Sequence, residues 1–335
     1  MSFRHGVAAA VAAALLLPPA SLSADATPSW TDTTSPVINI TGGTPHVLTV
    51  SAASGHAATD VHIVGVALPS FVAITSTTGP TATATLTITP PASLHGRFRL
   101  ILEARESDGG VATRMIVVAA TPDMRPVSLV GPGTQSRWAY VLANARARAA
   151  PRSSARVIGS VSTSTGLGQP NLVLLLREQR DRQGRQWVQV SLAALPNGTT
   201  GWVPRETLDK FQVVDTRLVV DRASLTAYLY RGGVEVFRAS IGIGRPSAPT
   251  PAGAFYVREE LRDFGDPFYG PVAFGTSARS PTLTDWPGGG FIGVHGTDQP
   301  QLLPGRVSHG CIRMRNADIL RLARLMPLGT PVTIR

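Results

Sequence analysis

One cysteine, Cys311, stands in a chain of 335 residues, so no intrachain disulfide can close any part of this fold. Whatever holds the chain together must be buried side chains, and the length allows two or three domains, each large enough for its own core. An unpaired thiol is either packed and inert, committed to another chain, or reactive. The two histidines nearest to it, His295 and His309, are the only ones after His95, and all three residues fall in the stretch from Gly293 to Arg315. In a chain this poor in thiol and imidazole, that cluster needs a chemical explanation.

Residues 1–26 carry Arg4 and His5, an apolar run from Val7 to Leu17, and small-residue patterns at Leu22-Ser23-Ala24 and Ala24-Asp25-Ala26. The run is short for a membrane span, so a cleavable export signal is expected, with an uncleaved anchor as the alternative. With no cysteine near the end of that run, a lipid anchor on cysteine is excluded. The expected location is the periplasm or cell wall, with no stable membrane insertion after cleavage. The net charge of +10 comes from arginines spread along the chain, with Lys210 the single lysine. Export and the lack of a basic tract argue against a nucleic-acid partner, while weak attraction to an anionic envelope is expected.

The expected fold class is mainly β and multidomain. Residues 27–123 read as an N-terminal immunoglobulin-like β-sandwich, because Thr81 to Thr89 alternates with period two and Asp108-Gly109-Gly110 joins two apolar runs as a hairpin. Its histidines, His46, His56, His62 and His95, are scattered without ligand spacing and read as surface or core residues rather than metal ligands. Residues 127–208 form the second unit. Its Ala143 to Val161 and Gln186 to Val203 segments, with Trp187, the turn at Asn197-Gly198 and Gly201-Trp202-Val203-Pro204, resemble a bacterial SH3-like barrel. That resemblance implies a wall-targeting or spacer role, although Trp187 and Trp202 suit the filling of a small core somewhat better.

Residues 213–335 form the third unit. Strands are expected at Leu218 to Val220, Leu225 to Tyr230, Val234 to Ile243, Ala254 to Val257, Phe291 to Val294 and Pro331 to Ile334. Glycine and proline mark the loops between, including Pro287 to Gly290. Asn316 is expected to cap a helix running from Ala317 to about Met326, stopped by Gly329.

A thiolate is the nucleophile of cysteine chemistry, and an adjacent imidazole can take its proton or stabilise its charge. A histidine closing one strand and a cysteine opening another can converge, and Gly310 leaves space for a substrate carbonyl and its oxyanion. Zinc held by Cys311 and the two histidines fits poorly, because His309 and Cys311 are separated by a single residue. A papain-like peptidase normally places its cysteine before its histidine, the reverse of the order here.

Ser308-His309-Gly310-Cys311-Ile312-Arg313-Met314, preceded by Ile292-Gly293-Val294-His295-Gly296-Thr297, resembles the signature of L,D-transpeptidase catalytic domains of the YkuD-like family. The likeness extends to Ser240 to Gly244, Thr250 to Phe255 and Gly329 to Val332. It implies Cys311 as the acylated nucleophile, His295 as its base, and the Gly296 carbonyl as the group orienting that imidazole. His309 and Gly310 would shape the pocket and, with the Cys311 N–H, the oxyanion site. Arg313 would hold the strand or meet a substrate carboxylate, and Ser308 would support the loop. Only 12 residues separate His295 from Ser308, short for the family, and Arg313 stands where some members have asparagine. The implied activity is 3→3 cross-linking of peptidoglycan stem peptides through a cysteine thioester, with no metal or organic cofactor and with carbapenem-type inhibitors acylating Cys311. A wall-binding protein with little turnover, or a cysteine hydrolase or carboxypeptidase on stem peptides, is the alternative. Phe264, Phe268, Tyr269 and Trp286 are as compatible with packing as with a substrate channel.

Overall fold

The computed structural model describes residues 27–57, 59–131, 135–262, 265–280 and 290–335; the export signal expected at 1–26, Phe264, Trp286 and most of the Pro287 to Gly290 turn lie outside them. Strands dominate, and a single α-helix is present among the described residues. The chain divides into two compact units, one of them Met1–Asn39, Pro45–Pro90 and Arg97–Ala119, the other Ile40–Thr44, Pro91–Gly96 and Ala120–Arg335.

In the N-terminal region the strand His46–Ala53 pairs antiparallel with Thr81–Ile88, which pairs in turn with Val72–Ser76. A second sheet holds Val61–Ala67 against Gly96–Glu106. Alternation places Ala82, Ala84, Leu86 and Ile88 inward, all fully buried, while the intervening threonines are more exposed. This is the period-two pattern of a half-buried strand. The hairpin at Asp108 closes as its glycines predict, with the Glu106 N–H donating to the Gly110 carbonyl.

Within the second unit, residues 136–214 form an antiparallel sheet in which Leu172–Arg180, Gln186–Ser191 and Thr200–Pro204 run side by side. Trp187 is 1 % exposed, and its indole N–H donates to Asp181 Oδ2 at 2.9 Å, so its polar edge is satisfied inside a core.

The C-terminal segment begins with β1 (Thr216–Asp221), β2 (Thr226–Arg231), β3 (Val234–Ser240) and β4 (Gly242–Gly244). It continues with β5 (Gly253–Arg262), β6 (Val272–Arg279), β7 (Phe291–His295), β8 (Gly305–Ser308), β9 (Ile312–Arg313), α1 (Asn316–Ala323) and β10 (Pro331–Ile334). Across the sheet the order is β3-β2-β1-β10-β5-β6-β7-β9-β4-β8. The run expected as one strand from Val234 to Ile243 is two strands. β3 stays beside β2, whereas β4 crosses to pair with β8 and β9. Glycine permits the crossing: a Cβ at Gly242 would lie 2.6 Å from Leu303 Cδ2, and one at Gly244 would lie 2.3 Å from the Ala248 carbonyl oxygen. At Gly244 the obstacle is backbone, which leaves no room for a side chain, whereas at Gly242 it is the packed Leu303 side chain.

The helix is shorter than its apolar stripe suggests and buries Ile319 and Leu322. Asn316 does not cap it. Arg315 occupies the capping position without a side-chain bond, and Asn316 Oδ1 instead accepts the Thr297 N–H at 2.9 Å.

The second unit holds its middle and C-terminal sheets together through polar contacts. Thr165 Oγ1 donates to Glu259 Oε2 at 2.7 Å, and an Arg258 guanidinium nitrogen donates to Asn171 Oδ1 at 3.0 Å. The Tyr256 hydroxyl reaches the Ser191 carbonyl, and Asn197 exchanges two hydrogen bonds with the backbone of Arg279. Arg258 and Glu259 are 6 % and 5 % exposed, so both charged groups are spent inside this contact.

Candidate active site

Strands β7 and β9 run parallel, with Val294 opposite Ile312 and His295 opposite Arg313. Because alternate side chains share a face, positions 293 and 295 of β7 point the same way as position 313 of β9 and position 311 just before it. The Cys311 sulfur accepts the Gly293 N–H at 3.4 Å. His295, Cys311 and Arg313 are thereby gathered on one face. They are 1 %, 6 % and 6 % exposed.

The imidazole of His295 is fixed at Nδ1, which lies 2.6 Å from the Gly296 carbonyl oxygen. A carbonyl can only accept, so Nδ1 carries the hydrogen and Nε2 is left with its lone pair. Burial drives the His295 pKa down to about 4, against the support of the Gly296 carbonyl, and the charge of Arg313 lowers it further. The ring is therefore neutral at pH 7 and able to accept a proton. Tyr269 meets it edge-on with ring centroids 5.1 Å apart, and Phe268 lies 6.2 Å away. Phe268 also carries the Arg313 guanidinium on its face at 4.3 Å. These two aromatics, undecided from sequence, wall the site. The Nε of Arg313 is buried without a hydrogen-bond partner.

Ser308 braces the loop before the thiol: its hydroxyl donates to the Cys311 carbonyl at 2.6 Å and accepts the Gly310 N–H at 3.1 Å. That bond commits the Gly310 N–H, so Gly310 contributes space rather than an oxyanion donor. Its φ is +127°, and a Cβ there would lie 2.9 Å from Ile292 Cδ1. His309 is exposed and stands outside the buried group.

Two residues with no predicted role hold the geometry. Thr250 Oγ1 donates to the Gly310 carbonyl at 2.7 Å and accepts the Gly244 N–H at 2.8 Å, tying β4 to the nucleophile loop. Asn316 sits against Gly296, where a Cβ would come within 2.3 Å of its Oδ1. Thr250 falls inside the resembling Thr250-Pro251 motif, which is the available signal; Asn316 carries a misleading one, because asparagine before an apolar stripe ordinarily signifies a helix cap.

A mainly β domain carrying a buried thiol and a neutral imidazole on one sheet face is the class defined by fold and site. Residues 215–334 match the family model described as the YkuD L,D-transpeptidase catalytic domain, and this segment of the chain belongs to that family. The putative L,D-transpeptidase YkuD of Bacillus subtilis is 37 % identical over 94 residues, covering 28 % of this chain and 50 % of that protein. Its counterpart from Bacillus licheniformis is 33 % identical over 118 residues, covering 35 % of this chain and 64 % of its own length. The match thus spans from half to somewhat under two thirds of these relatives. The catalytic domain of the Enterococcus faecium L,D-transpeptidase, solved by NMR, is 30 % identical, with 36 % of this chain and 97 % of that one covered and a TM-score of 0.28. Among the described residues no helix is long and apolar enough to cross a membrane.

Proposed function

We propose that the protein is an exported peptidoglycan L,D-transpeptidase that forms 3→3 cross-links through a thioester on Cys311. The observation that carries this reading is the neutral, Nδ1-protonated His295 on the same sheet face as the Cys311 sulfur.

Nε2 of His295 takes the thiol proton as the sulfur attacks the carbonyl of the L-centre of the third stem residue. The tetrahedral oxyanion collapses, the C–N bond to the terminal D-Ala breaks, and the imidazolium returns its proton to the departing amine. The thioester is then attacked by the side-chain amine of a second stem, whose proton passes to His295 and from there to the Cys311 sulfur as it leaves. Each half-reaction restores the neutral imidazole. The unpartnered Nε of Arg313 supports recognition of a carboxylate on the stem peptide.

Intact-mass measurement after incubation with a carbapenem tests the nucleophile. Wild type is expected to gain one covalent adduct and Cys311→Ala none; no adduct on wild type, or the same adduct on the variant, refutes the assignment. Mass analysis of products from purified tetrapeptide stems separates the reactions. Cross-linked dimers support the transpeptidase, whereas tripeptide alone makes the protein a carboxypeptidase.

A further inference from the structure

Three metal-ligating side chains, distant in sequence, meet in the N-terminal sandwich where the Gly96–Glu106 strand turns into its hairpin. His56 Nδ1 lies 3.5 Å from Glu106 Oε2 and 3.2 Å from Asp108 Oδ2, and one ligand atom from each residue lies within 4.8 Å of the others. A tetrahedral ion with bonds of about 2.1 Å separates its ligands by about 3.4 Å, so both measured spacings match an edge of such a shell.

Glu106 points independently to a ligand. It is 5 % exposed, and its Oε1 is occupied by the Ser54 hydroxyl at 2.6 Å and the Gly55 N–H at 2.5 Å. Oε2, equally enclosed, makes no hydrogen bond, and the ring nitrogen facing it, His56 Nδ1, stands 3.5 Å away. Leaving a buried carboxylate oxygen without a donor is costly unless a cation faces it. The donors on Oε1 are what an oriented metal-ligating carboxylate has in its outer shell. Asp108 and His56 are partly open to solvent, which leaves room for water and a path of entry.

We infer that His56, Glu106 and Asp108 bind one divalent transition-metal ion of the zinc class, with water completing the shell. An imidazole among the ligands favours such an ion over magnesium or calcium, which prefer all-oxygen shells. The bound ion would join the loop after His46–Ala53 to the hairpin 50 residues later. In a chain with a single cysteine, it supplies the cross-link that a disulfide cannot.

Zinc titration of the full chain, stripped with chelator and followed by calorimetry, tests the site, with cobalt absorption as a second readout. Wild type is expected to bind one equivalent, and His56→Ala and Glu106→Gln each to weaken it by about tenfold or more. Asp108→Asn preserves the turn made by Oδ1 with the Gly110 N–H. It guards against misfolding and is expected to weaken zinc by a similar factor while leaving Cys311 acylation within about twofold. Absence of zinc binding by wild type at about 100 µM, or affinity unchanged in these variants, overturns the inference.

Discussion

The strand end at His295 and the hairpin beside His56 put the same side chain to opposite uses. At His295 burial is nearly complete and Nδ1 is fixed on the Gly296 carbonyl, so the ring is held neutral. At His56 the ring stands partly in solvent before two carboxylates. Burial favours the uncharged imidazole, whereas carboxylates facing a ring favour a bound metal ion between them. Surroundings, rather than residue type, separate a proton acceptor from a candidate ligand.

The comparison fails outright if Cys311 is not the nucleophile. Cys311→Ala should lower product formation by about a thousandfold or more, measured as cross-linked dimer, because the acyl intermediate cannot form. Next in size, His295→Ala should slow acylation by about a hundredfold or more, whereas His56→Ala should leave it within about twofold. His309→Ala, at an exposed position, should cost less than about tenfold. Equal losses at His295 and His309 would erase the distinction between the buried and exposed rings.

Acid sharpens the contrast. The His295 pKa of about 4 lies below the unfolded value near 6.5, so the unfolded chain binds the extra proton and stability falls as pH drops through that window. The loss from this residue is about 3 kcal/mol at most. His295→Gln should flatten the dependence of the denaturation midpoint between pH 6.5 and 4. The acid limb of acylation should likewise sit near pH 4 rather than 6.5. Smallest of all, Asn316→Ala removes one bond to the Thr297 N–H, costing about 1 kcal/mol and a few-fold in acylation. A change in KM without one in kcat would place Asn316 outside the positioning of His295.

The catalytic cluster was legible because its members lie within one short stretch and their chemistry is rare in this chain. The register that puts Cys311, His295 and Arg313 on one face needed the pairing of β7 with β9, which no local pattern encodes. Ile241 to Gly244 continued the apolar run of β3, so the strand switch there was invisible; only Leu303 and Ala248, packed against the two glycines, explain it. Asn316 gave a sound local signal that a tertiary bond to Thr297 outcompeted. The His56 cluster was unreadable for the same kind of reason, since its carboxylates arrive from a strand 50 residues away.

The contact between the middle and catalytic sheets has a consequence for anyone dividing this gene. A cut between residues 208 and 213 falls at a join in the primary sequence but inside one cooperative block. It would leave Arg258 without Asn171 and Glu259 without Thr165, two ions shaped for an interior and returned to water. The catalytic segment expressed by itself should therefore melt earlier than the same segment in the full chain, and its sheet should loosen first along β5, the strand that leads into the site.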